Sequence, residues 1–121
     1  MIEIARVYDK PQEKSAKSSS RYLVERLWPR GMKKELLKLD GWLKSVAPSA
    51  ALRNWYSHKV ERWPEFRKRY LSELRSNPAA WQPLLEVARR GSVTLLYSAH
   101  DTEHNSAVVL RDFLESKLRR Q

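Results

Sequence analysis

The run Val93-Thr94-Leu95-Leu96-Tyr97, close behind Gly91, leaves almost nothing polar to turn toward solvent. A strand wetted on one face alternates apolar and polar residues; a near-continuous apolar run needs cover on both faces, the condition inside a parallel sheet. Val93–Tyr97 is therefore the expected central strand. Around it, Ile2–Val7 alternates in "IEIARV" and reads as a half-buried strand, and Arg21–Leu27 as another. That second strand runs into Trp28-Pro29, where proline has no N–H for a ladder.

The stretch between carries helical spacing. Leu39, Trp42, Leu43 and Val46 predict a helix capped by Asp40 and stopped by Pro48. Ser49 is the expected cap of a short helix through Leu52, Arg53 and Trp55. Trp63, Phe66, Tyr70 and Leu74 share one face of a longer helix that has Pro64 in its first turn. Asn77-Pro78 opens the next, with Trp81, Leu84, Leu85 and Ala88 inward and Gly91 as a left-handed end. Ala107, Leu110, Leu114 and Leu118 define a last amphipathic helix, with Asp101 or Thr102 as its cap. The pattern predicts a single α/β domain over residues 1–121: a small, mostly parallel sheet of about three or four strands flanked by about five helices, Rossmann-like in its layers. The polar, lysine- and serine-rich stretch at 9–20 is expected to be a mobile basic loop.

Twenty-four Lys and Arg against fourteen Asp and Glu give a formal charge of +10, which favours anionic partners at low salt. The chain has no cysteine, which removes disulfides, thiolate catalysis and cysteine-ligated metal. Its three glycines build neither a phosphate-binding P-loop nor a dinucleotide fingerprint. The start has no apolar leader-like stretch and no window reaches membrane-spanning length, so a soluble cytoplasmic protein is expected. His100-Asp-Thr-Glu-His104 has the spacing of an inverted zinc-peptidase motif, but its first histidine precedes the expected helix and only His58 is left as a third imidazole. No metal site is expected.

In open parallel sheets ligands bind beyond the carboxyl ends of the strands. That rule brings "RLWPRG", residues 26–31, beside the segment Ser98–Asn105. Arg26, Trp28, Arg30, Tyr97 and Asn105 are the expected ligand-binding residues, with Arg53 and His58 approaching from the helical layer. The expected ligand is an anionic small molecule of phosphate or nucleotide type. If the site is catalytic, His104 is the candidate base, ahead of His100 and His58, and Asp101 orients it. The alternative is noncatalytic, sequence-independent binding of nucleic-acid backbones through the positive charge. No DNA- or RNA-reading motif accompanies it. Cofactor and oligomeric state are not readable.

The blocks "RVYDKP", "VERLWPRG", "WLKSVAPSAALRNWYSH", "FRKRYLSEL" and "VTLLYSAHDTEHNSAVVL", in this order over nearly the whole chain, resemble the YeaO-like branch of the family called domain of unknown function 488. The resemblance implies a compact bacterial or archaeal α/β domain and carries no established activity. Glu25 stands where the family more often has Asp. Wider relatives have an Asp-Val-Arg-like strand end and a cysteine-rich Cys-His-Arg-like segment, similar in position to Val24-Glu25-Arg26 and Glu103-His104-Asn105. That agreement implies a pocket between the two segments, while the absence of cysteine speaks against any thiol or metal role there.

Overall fold

The computed structural model describes residues 1–9 and 19–120. The basic loop expected at 9–20 falls mostly outside them. Four parallel strands form one sheet: β1 (Ile2–Arg6), β2 (Ser19–Leu23), β3 (Gly41–Trp42) and β4 (Ser92–Tyr97), in the order β1-β4-β2-β3. The apolar run is central, as its composition requires. Leu95 pairs in register with Ile4 on one side and Tyr22 on the other. The one polar side chain in the run, Thr94, is buried against Ser19, their hydroxyls 2.8 Å apart.

Among the described residues the helices are α1 (Lys34–Leu37), α2 (Ala50–Tyr56), α3 (Trp63–Ser76), α4 (Pro78–Arg90) and α5 (Ser106–Arg119), with a 3-10 turn at Val60–Arg62. The chain is therefore a small α/β fold. Its two layers are unequal. Val93, Leu95 and Tyr97 face a large core shared with Phe66, Tyr70, Trp81 and the buried face of α5, whereas Leu23 and Leu96 belong to a smaller cluster with Val7, Leu37 and the partly buried Ala5, Trp28, Met32, Leu39 and Trp42. No described helix is long and apolar enough to cross a membrane.

Caps and hydrogen bonds explain where the helices begin and end. Ser49 Oγ accepts from the Leu52 amide, and Glu73 on α3 accepts from both the Ser49 amide (2.8 Å) and its hydroxyl (2.6 Å). Pro64 and Pro78 sit in the first turns of α3 and α4, where a missing N–H costs nothing. Leu74 O, at the end of α3, accepts both from the Asn77 amide at 3.1 Å and from Trp81 Nε1 at 2.7 Å, which joins α3 to α4.

Several expectations are corrected. The helix expected from Asp40 is absent: the Asp40 amide donates to Arg21 O at 2.7 Å and the Leu43 amide to Leu23 O at 2.8 Å, so this backbone pairs with β2 and β3 forms instead. Lys38, with φ 48, breaks the chain between α1 and that strand. The second strand ends at Leu23, not Leu27, whose side chain is 58% exposed. Gly91 has φ 178, extended backbone open to any residue, so the left-handed end is not used. Asn105, not Asp101 or Thr102, caps α5, its Oδ1 accepting from the Val108 amide at 3.1 Å.

Candidate functional site

Beyond the carboxyl ends of β2 and β4 the chain leaves a cavity of about 140 Å³. Its lining comes from four places, of which three are Val24 to Arg26 after β2, Tyr97 at the end of β4 with Ser98, Ala99 and His104 to Ser106 beyond it, and Arg53, Tyr56 and His58 at the end of α2. Ala47 and Pro48 close one side. Arg26, Arg53, His58, Tyr97, His104 and Asn105, all expected from the sequence, therefore meet in one place. Trp28 and Arg30 do not join them. Trp28 Nε1 donates to Met32 O at 2.7 Å and its ring packs edge-on against Trp42, plugging the thin face of the sheet. The Arg30 side chain is exposed and its carbonyl accepts from the Tyr8 hydroxyl at 2.9 Å.

Each lining group is held by a neighbour. The Arg26 guanidinium donates from Nε to Pro48 O at 2.7 Å and from Nη2 to Ala47 O at 3.4 Å, which ties the segment after β2 to the loop before α2. Glu25 accepts from the Ser98 hydroxyl at 2.9 Å and from the Ser98 amide, tying the two strand exits together. The Tyr56 hydroxyl donates to His104 O at 3.1 Å. Burial pushes the Tyr56 phenol up, Asp101 and Glu61 adding to the rise, so this hydroxyl remains a donor at neutral pH. Tyr97 is likewise raised, chiefly by burial.

Asp101 stands behind the cavity, not in its lining. It accepts from the backbone amides of Glu103 and His104 at 2.9 Å each, and the His104 Nδ1 lies 3.0 Å from its second oxygen. A carboxylate only accepts, so Nδ1 carries the proton and Nε2 is the ring's basic nitrogen. Trp63 packs edge-on against the imidazole, ring centres 5.3 Å apart. His100 lies elsewhere, with Nδ1 3.5 Å from Arg6 Nη2. Among the described residues no three potential metal ligands converge.

The amides of Glu103 and His104 hold the Asp101 carboxyl below its ordinary value of 3.8. A carboxyl lowered in the fold stabilises fully above its unfolded value and loses that contribution as pH falls through its folded value. The melting temperature of Asp101→Ala should therefore lie below wild type at neutral pH and converge on it below pH 3.8. A gap that persists unchanged into acid would contradict this assignment.

Sequence reasoning missed Tyr56, Ser98 and the Ala47-Pro48 wall. Tyr56 follows Trp55 on a helix whose inward face was legible, and its hydroxyl had no partner visible in the sequence. The carbonyls of Ala47 and Pro48 carry no side-chain signal at all.

A parallel sheet with a polar cavity at its strand ends, walled by a Glu-Arg strand exit and a histidine segment, defines a class that comparison with known proteins resolves. The profile described as the inactive DUF488-N3 subclade matches residues 1–121, and the chain belongs to this family. It is 44% identical to the uncharacterized protein YeaO of Escherichia coli over 115 residues, 95% of this chain and 97% of that one. It is 35% identical over 116 residues to the uncharacterized protein Rv3073c of Mycobacterium tuberculosis, covering 96% of this chain and 95% of that one. No solved structure matches.

Proposed function

We propose that the strand-end cavity binds a small anion of phosphate type and does so without turnover. The observation that carries this reading is the meeting of Arg26, Arg53, His58 and His104 with the first turn of α5 around one cavity. The helix is long enough, at 14 residues, to present a developed positive end, and Ser106 at its start lines the space. Two guanidinium groups face one carboxylate, and Glu25 is already engaged by Ser98. The cavity is smaller than the roughly 300 Å³ at which sites begin to enclose drug-sized ligands. It takes an anionic group and not a whole nucleotide.

The description of the family as an inactive subclade agrees with binding in place of catalysis. His104, oriented by Asp101, is then a ligand contact through Nε2. The test is titration of the purified protein with inorganic phosphate at low and moderate salt, read by calorimetry, beside Arg30→Ala and Arg53→Ala. Wild type and Arg30→Ala should bind alike, and Arg53→Ala about tenfold more weakly, the loss of one charge-assisted contact. Absence of phosphate binding, with a short DNA duplex bound in a steeply salt-dependent way, would replace this reading with backbone binding by the positive surface.

A further inference from the structure

Glu25 is the one carboxylate among the residues that line the strand-end cavity, where two guanidinium groups and two imidazoles stand with it. Asp101 does not share that place: its oxygens are taken by the amides of Glu103 and His104 and by His104 Nδ1. A carboxylate in a pocket for anions is a repulsive element unless a proton lies between the two charges.

The two oxygens of Glu25 are used unequally. Both bonds that hold the side chain end on Oε1, which accepts from the Ser98 amide and, at 2.9 Å, from the Ser98 hydroxyl. The backbone is fixed as well, its carbonyl accepting from Trp42 Nε1 at 2.6 Å. Arg26, next in the chain, gives its guanidinium to the carbonyls of Ala47 and Pro48. Oε2 accepts from no described residue, and no described side-chain oxygen is both buried and without a partner, so Oε2 has open space before it. Glu25 is thus a fixed acceptor with one oxygen left for a donor.

Such an acceptor sorts anions by whether they bring an O–H. At about pH 8 a phosphate monoester, whose second pKa is about 6, is a dianion with no proton, and sulfate is another. Orthophosphate has one ionisable proton more and is a dianion that keeps an O–H. The three carry equal charge, so the cationic side of the cavity attracts them alike, but only orthophosphate can donate to Oε2. The others would set a bare oxygen against a carboxylate oxygen.

We infer that Glu25 is a specificity-determining residue that selects orthophosphate over proton-free oxyanions of the same charge, its Oε2 accepting the ligand's O–H while Arg53, His58 and His104 are left for the remaining oxygens. This rests on the phosphate reading of the cavity and specifies which phosphate it takes: the free ion and not an ester.

The test is calorimetric titration of wild type and Glu25→Gln with orthophosphate, sulfate and methyl phosphate at about pH 8, the variant first checked for an unchanged circular dichroism spectrum. Glutamine keeps an oxygen for the Ser98 bonds and puts an NH2 donor in place of Oε2. Wild type should bind orthophosphate at least about tenfold more tightly than either of the others, the loss of one hydrogen bond to a charged group. Glu25→Gln should close that gap, chiefly through a rise for sulfate and methyl phosphate. Equal affinities in wild type, or a proton-free anion bound best, overturn the selection and leave the anion site standing. Methyl phosphate matching orthophosphate while sulfate lags shows that the proton is not what is read, and overturns it too. A gap that persists in Glu25→Gln takes the role away from this residue. Failure of all three anions to bind wild type removes the anion site itself, and this inference with it.

Discussion

Replacing Leu95 with alanine should cost the fold about 3–5 kcal/mol, the range for a leucine deleted from a core that cannot close over the gap. Leu95 is 0% exposed, its backbone is paired on both sides, and its side chain enters the larger core. Strands held on two sides cannot shift inward to fill a void. For a chain of this length the loss corresponds to a drop of roughly 10–20 °C in melting temperature. Leu36→Ala supplies the contrast: that side chain is 66% exposed, and its removal should change stability by less than about 0.5 kcal/mol. Thermal unfolding of the two variants checks the placement of β4 at the sheet centre. Equal, small effects would mean that the strand is not where the core is built.

Arg26→Ala should have the largest effect on binding of any single change at the site. The guanidinium contributes charge to the cavity and also fixes the Ala47-Pro48 wall through two carbonyls, so alanine removes a contact and loosens a boundary at once. A charge-assisted hydrogen bond is worth about 1.5–3 kcal/mol, which translates to a fall of roughly 10–100-fold in phosphate affinity. Arg26→Lys should fall between: an ammonium restores the charge but cannot span both carbonyls and an anion with one planar fork. Calorimetric titration of the three proteins reads the series directly. Wild-type affinity in Arg26→Ala would remove the residue from the site.

Helical faces of two turns or more were legible in the sequence, and so was the apolar central strand. Trp63, Phe66, Tyr70 and Leu74 repeat often enough for the 3.6-residue period to stand out, and Val93–Tyr97 announces itself by composition. The β3 region failed for a physical reason. Leu39, Trp42, Leu43 and Val46 have helical spacing, but Asp40 Oδ2 accepts from the Arg21 amide at 2.7 Å and the backbone on either side follows β2. A strand of two residues has no period to detect.

The candidate site was legible to the extent that its residues follow strand ends. Arg26, Tyr97, His104 and Asn105 came from that rule. Extending it to Trp28 and Arg30 assumed that the chain continues along the cavity. Instead it turns, Pro29 is buried, Gly31 takes φ 75, and Trp28 goes to the opposite face of the sheet. The sheet rule locates the exit of a strand and says nothing about the direction taken afterwards.

The strand order has a consequence for the newly made chain. β1 and β2 are synthesised first, yet each has β4 as its main neighbour, and β4 begins at Ser92. While the ribosome is still translating α2, α3 and α4, these two strands have no partner beyond the two-residue pairing of β2 with β3. Helices can form locally in that interval, but the sheet cannot close until β4 has left the exit tunnel. Formation of the native sheet is thereby tied to the arrival of one strand, the fourth in chain order.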